Sequence, residues 1–186
     1  MESEESIVGQ FLVAMPTLED TNFHHSVVFI CAHSSEGAMG LVVNHPHSVG
    51  MTDVMEQLGL NWRRPENNIV YQGGPVSPER GFVLYEEDFG DSGAVEVQSH
   101  LFMGGSPEIL ERLSDAGAAA RFLFTLGYAG WGDGQLEEEI RQNAWLVCRF
   151  DRELLFATPH ERRWEMAIRS MGIDPALLVD GGGQAN

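Results

Sequence analysis

The chain alternates between short runs of branched and aromatic residues and breaks made of Gly, Pro, Asn and Asp. "IVGQFLVA" (7–14), "SVVFICA" (26–32), "MGLVV" (39–43), "NIVYQ" (68–72), "GFVLYE" (81–86), "AVEVQ" (94–98), "RFLFTLGYA" (121–129), "WLVCRF" (145–150) and "ELLFAT" (153–158) predict strands. Several are apolar at every position instead of alternating, which predicts strands in the middle of a sheet covered on both faces. Helices show through their caps. In "SPEILERLSDAG", Ser106 suits the N-cap and Pro107 the first turn, Ile109, Leu110, Leu113 and Ala116 form an apolar stripe, and Gly117 closes the end. In "TPHERRWEMAIRSMG", a capping box Thr158…Glu161 precedes Trp164, Ala167, Ile168 and Met171, and Gly172 ends the series. A shorter helix is predicted from Thr52 to Gly59.

Strands interspersed with three or four helices indicate a mixed α and β domain. With 186 residues, 43% of them hydrophobic, the chain suits one well-packed core better than two. The expected domain runs over 8–179, with an acidic flexible tail at 1–7 and a second tail, "DGGGQAN", at 180–186.

The formal charge of −17 opposes direct binding to nucleic acid or anionic membranes, and favours a protein partner with a basic surface. All eleven basic residues are arginine, because lysine is absent. Walker-type phosphate loops, kinases, Schiff-base enzymes and Ser-x-x-Lys hydrolases, which need lysine at the reacting centre, are therefore excluded. No apolar run is long enough to span a bilayer, the N-terminus is acidic, and Cys31 and Cys148 sit in apolar runs, so a cytoplasmic location with reduced thiols is expected.

"GYAGWGDGQLEEEIRQNAWL" (127–146) concentrates glycine before an acidic helix. Asp133 or Gly132 suits the N-cap, Glu137, Glu138 and Glu139 lie near the favourable positive end of the helix dipole, and Leu136 and Ile140 turn inward. Glu137 and Glu138 are placed to pair forward with Arg141, so the acidic run reads as a solvated first turn. The glycine spacing does not fit G-x-G-x-x-G, and a nucleotide cradle is disfavoured.

This segment, with "FLVAMPTLEDTNFHHSVVFICAH", "GAMGLVVNHP", "GGPVSPERGFVLY" and "LLFATPHERRWEMAIRSMGID", resembles the bacterial AlgH/YqgE family in order and spacing from about residue 9 to 173. The resemblance implies a single cytosolic α+β domain on a highly curved, mainly antiparallel sheet, and a regulatory role, which the −17 charge and the lack of a basic helix-turn-helix lead us to expect to be indirect. His45 stands where the family usually carries a basic residue, and "QSHLFMGGSPEIL" diverges.

Candidate chemistry is sparse. "FGDSGAV" with His33 upstream does not build a protease, since too little chain separates His33 from Ser92 for two barrels. His45 and His47 lack a third ligand at zinc spacing, so no metal or cofactor is expected. Cys31 and His33, two apart on a strand, are expected on one face, making Cys31 a candidate redox-sensitive thiol. In "YQGGPVSPERGF", Ser77-Pro78 could start a helical turn whose amides bind an anion. The candidate cleft joins Asn44, Gly73, Gly74, Trp131 and Gln135. With no nucleophile, base and electrophile set visible, a non-enzymatic interaction or regulatory domain acting through protein partners is expected, the alternative being a small-molecule binder or hydrolase at that cleft.

Overall fold

The computed structural model describes residues 6–17, 23–66, 68–117 and 119–180. In chain order the strands are β1 (Phe11–Ala14), β2 (Val27–Ser34), β3 (Gly37–Val42), β4 (Pro46–Gly50), β5 (Ile69–Gln72), β6 (Val76–Tyr85), β7 (Val95–Gln98), β8 (Leu101–Gly104), β9 (Phe122–Trp131) and β10 (Trp145–Cys148). The helices are α1 (Met51–Gln57), α2 (Pro107–Ala116), α3 (Gln135–Arg141), α4 (Arg152–Phe156), α5 (Arg163–Ser170) and α6 (Pro175–Asp180).

Strand β9 organises the sheet because its length lets it serve three partners. One edge pairs antiparallel with β6; the other pairs with β5 near its start and with β3 near its end. The β5–β9 pairing is the parallel one, and the remaining described pairings are antiparallel. The main path runs β10-β1-β2-β3-β9-β6-β8-β7, with β4 and β5 beside it. Bulges in β2, β6 and β7 bend the strands. The sheet curls until its ends meet: Phe11 and Cys148 share one core with Val97 and Leu101, and Gln98 Nε2 donates to Gly9 O at 3.1 Å.

That core fills the concave face and is closed by Leu154, Leu155, Trp164, Ala167 and Ile168 of α4 and α5. The opposite face carries two smaller clusters, one under α1 and α2 and one under α3. The wholly apolar β1 is buried at every position, with Phe11 and Val13 in the concave core and Leu12 and Ala14 in the cluster under α3, as its sequence predicts. This is a single α+β domain.

Several local expectations give way. "ELLFAT" is not a strand: Asp151 Oδ1 accepts from Glu153 N and Leu154 N, and this cap starts α4 with Leu154 and Leu155 turned into the core. Thr158 is not a helix cap, since its hydroxyl donates to Glu153 O; a 3-10 turn at His160–Arg162 intervenes and α5 begins at Arg163. The cap of α3 is Gly134, left-handed at φ 67°, instead of Asp133 or Gly132. Ser77-Pro78 starts no helix and lies in the bulged beginning of β6. Strands β4 and β8 and helix α6 carry too little periodicity to be foreseen. Of the expected tails, residues 1–5 and 181–186 lie outside the described residues, whereas Ile7 packs against the cluster under α3.

Candidate functional site

The cleft residues expected from sequence occupy two places. Gly73 donates its N–H to Leu126 O at 2.8 Å and accepts from Val42 N at 2.8 Å, so it knits β5, β9 and β3 together. A Cβ on Gly73 would meet Gly127 O at 2.2 Å, and one on Gly74, whose φ is +151°, would meet the Tyr128 carbonyl carbon at 2.2 Å. These glycines permit close backbone approach. Asn44 follows β3 nearby, but its side chain turns to the β1–β2 loop, accepting from Val27 N and donating to His25 O, both at 2.9 Å. Trp131 and Gln135 lie at the far end of β3, where Trp131 pairs with Ala38. Trp131 packs on Phe23 and Trp145 and donates to Glu139 Oε2 at 2.6 Å, while Gln135 Oε1 accepts from Gly132 N at 3.0 Å.

The acidic run is more than a solvated turn. Glu137 bonds His33 Nε2 at 2.5 Å and is held below the usual carboxylate range chiefly by that bond; Glu139 holds Trp131; Glu138 pairs with Arg141. Cys31 and His33 do not share a face. The bulge between Ile30 and Ala32 leaves Cys31 in the concave core and turns His33 to the α3 side. Burial pushes the Cys31 thiol up, away from the thiolate that oxidant sensing requires. Among the described residues no group of His, Cys, Asp and Glu could hold a metal ion.

Two cavities fall elsewhere. The first, about 340 Å³, lies between α1, α2 and the β6–β9 face. Val54, Leu110, Phe124 and Leu126 form its apolar walls, and Asp53 and Glu79 bring acids to it. Glu79 stands there because the β6 bulge, between the pairs Val76↔Tyr128 and Gly81↔Leu126, carries it out from the ladder. The second, about 320 Å³, lies between β5, the start of β9 and α4, and Arg163 reaches it.

Arg163 was legible in the sequence only as one of several helix arginines, yet it is 5% exposed. Its Nε donates to Thr158 O at 3.0 Å and its Nη1 to Val43 O, and the guanidinium lies 5.1 Å from the Tyr71 ring centroid. Beside it, His25 stacks between His24 and Trp164 at centroid distances of 4.0 and 4.3 Å, and His45 Nε2 meets His24 O at 3.0 Å.

Fold and clefts define a class: a one-domain, curved-sheet α+β protein with ligand-sized cavities on both sides of the sheet. The chain belongs to the AlgH-like family (DUF179), whose profile matches residues 11–176 and whose molecular function is uncharacterised. It is 50% identical over 175 residues to the UPF0301 protein Mmc1_0726 of Magnetococcus marinus, covering 94% of each chain. It is 40% identical to UPF0301 protein PBPRA3139 of Photobacterium profundum, covering 93% of this chain and 96% of that one. The solution structure of the AlgH protein PA0405 from Pseudomonas aeruginosa superimposes with a TM-score of 0.79 at 37% identity, covering 100% of this chain and 98% of that one. Protein DIP2367 from Corynebacterium diphtheriae shares the fold, with a TM-score of 0.70 at 24% identity over 91% and 89% of the two chains. No helix among the described residues is long and apolar enough to cross a membrane.

Proposed function

We propose that this chain is a non-enzymatic recognition domain that acts indirectly, through a protein partner with a basic surface engaging the α1–α2 cleft. The observation that carries the reading is the cleft's composition: apolar walls, the Glu79 carboxylate and that of Asp53, which also accepts from Gly50 N, with His47 and no arginine lining it. Leu58 beside it is 48% exposed. An apolar side chain flanked by lysine or arginine complements this surface, and the −17 charge steers such a partner toward it. A cleft of this size anchors one or two side chains, so it supplies the centre of a larger contact. The alternative, a small-molecule or hydrolytic site at Gly73-Gly74 and Trp131-Gln135, has less support, because these residues fall at two separate places and Gly73, the Trp131 indole and Gln135 Oε1 are bonded within the chain.

Site-specific photocrosslinking in cells tests this. A photoreactive phenylalanine at Gln57, which lines the cleft, should yield a discrete adduct with a protein of net positive charge. The adduct should be absent when the probe stands at exposed Arg169 and lost in Leu58→Arg and Glu79→Arg. An adduct pattern shared by both probe positions, or unchanged by the two substitutions, refutes the proposal.

A further inference from the structure

The second cavity is distinct in place and chemistry from the docking cleft. Apolar groups of Ile69, Phe122, Leu155 and Phe156 line it, together with Arg163, Asn68, Tyr71 and Glu66. Three observations concern ligand recognition. Arg163 is a nine-tenths buried cation with no carboxylate within ion-pair distance among the described residues. Backbone carbonyls and the Tyr71 ring satisfy part of the guanidinium, but its Nη2 has no acceptor among those residues. Asn68 Oδ1 is a buried acceptor with no hydrogen-bond partner among the described residues.

Arg163 Nη2 keeps access to solvent, so a complementary ligand can take the place of water on it, whereas Asn68 Oδ1, buried without a partner, carries a free-energy cost that a donor on the ligand relieves. The planar guanidinium edge matches a carboxylate. A carboxylate cannot donate to Asn68 Oδ1 at neutral pH, so the ligand must carry a separate O–H or N–H. At about 30 Å³ per water-sized group, 320 Å³ accommodates about ten non-hydrogen atoms. The exposed Glu66 carboxylate repels anions and so disfavours multiply charged ones.

We infer that this cavity binds a small, singly charged hydroxycarboxylic acid with an apolar tail, its carboxylate on Arg163 and its hydroxyl donating to Asn68. The apolar tail lies against Phe122, Leu155 and Phe156. Occupancy would stiffen the junction of β5, α4 and α5, since Arg163 joins Val43 and Thr158 through their carbonyls.

Isothermal titration of the full chain tests the assignment with mandelate and 3-hydroxy-3-phenylpropanoate, each beside its hydroxyl-free counterpart, and with mandelamide and inorganic phosphate. At least one hydroxy acid should bind saturably, tighter than its hydroxyl-free counterpart, mandelamide and phosphate. Arg163→Lys should weaken it tenfold or more, and Asn68→Ala should erase the preference for the hydroxyl. Because Arg163 also supports the fold, the side-chain nitrogen resonances of Arg163 are followed in the unsubstituted chain, where they should shift with the bound fraction. Absence of saturable binding by both hydroxy acids up to about 10 mM, equal binding of phosphate or mandelamide, or a hydroxyl preference unchanged in Asn68→Ala overturns the inference.

Discussion

Asn44 exemplifies a polar side chain whose work is inside the chain. At 8% exposure its carboxamide replaces a backbone neighbour for the β1–β2 loop, accepting from Val27 N and donating to His25 O. Asn44→Ala strands a buried N–H, and should cost about 1–3 kcal/mol in a denaturant titration; a change within error would show that the loop finds another partner. The neighbouring imidazoles are arranged to resist protonation. Burial, then the nearby His24 and His45 rings, hold His25 below its ordinary 6.5; His45 is lowered chiefly by burial, against a bond to His24 O. The described histidine ion pairs belong to His33 and His160, so no carboxylate offsets this repulsion among the described residues. The unfolded chain therefore takes up protons first, and the stability these groups confer, complete above about pH 6.5, is lost as pH falls through 6.5 toward the lower folded values. His24→Gln should raise the His25 pKa toward 6.5 in an NMR titration of the ring protons. An unmoved His25 would mean that burial and His45 set it without His24.

Short helices in this fold are held by specific bonds more than by length. Helix α3 has seven residues, and Glu137 and Glu139 fasten it to His33 of β2 and Trp131 of β9. Helix α4, with five, depends on its Asp151 cap and on charges around Glu86. Arg121 forks onto Glu86 with Nε at 2.5 Å and Nη2 at 3.1 Å, Arg152 reaches the same carboxylate at 3.0 Å, and Arg121 also meets Glu153. Arg121 first, then Arg152, holds the Glu86 carboxyl below its ordinary 4.5 against the opposing effect of burial. A depressed carboxylate gives stability above the unfolded value that disappears as pH falls through the folded one. Glu86→Gln should therefore cost about 1–2 kcal/mol at pH 7, and the gap between variant and parent should close below pH 4.5. A gap that persists at pH 3 would assign the loss to packing.

For the whole molecule, charge dominates what can approach. A surface with a net −17, its basic groups all arginine and several of them engaged with carboxylates, has no described stripe of phosphate contacts. Titration of labelled duplex DNA at about 150 mM salt should show no sub-micromolar, sequence-selective binding by anisotropy. Such binding would move the function to a surface other than the two cavities.

The sequence by itself determined what is local and chemical. Residue runs apolar at every position specified β1 and the buried part of β2, Ser106 and Pro107 specified the start of α2, the family motifs specified a curved mainly antiparallel sheet, and the absence of lysine removed whole mechanisms. The tertiary structure decided everything that depends on which strands meet. One bulge separated Cys31 from His33, because an extra residue reverses the alternation that sequence spacing assumes. Curling of the sheet placed Gly73 against β9 and Trp131 at the opposite end of β3, so residues foreseen in one cleft became packing at two sites. Arg163 and Asn68, distant in sequence and unremarkable in composition, share a cavity because β5 and α5 converge there. Burial and unsatisfied hydrogen bonding arise from long-range contacts, and no local pattern of residues encodes them.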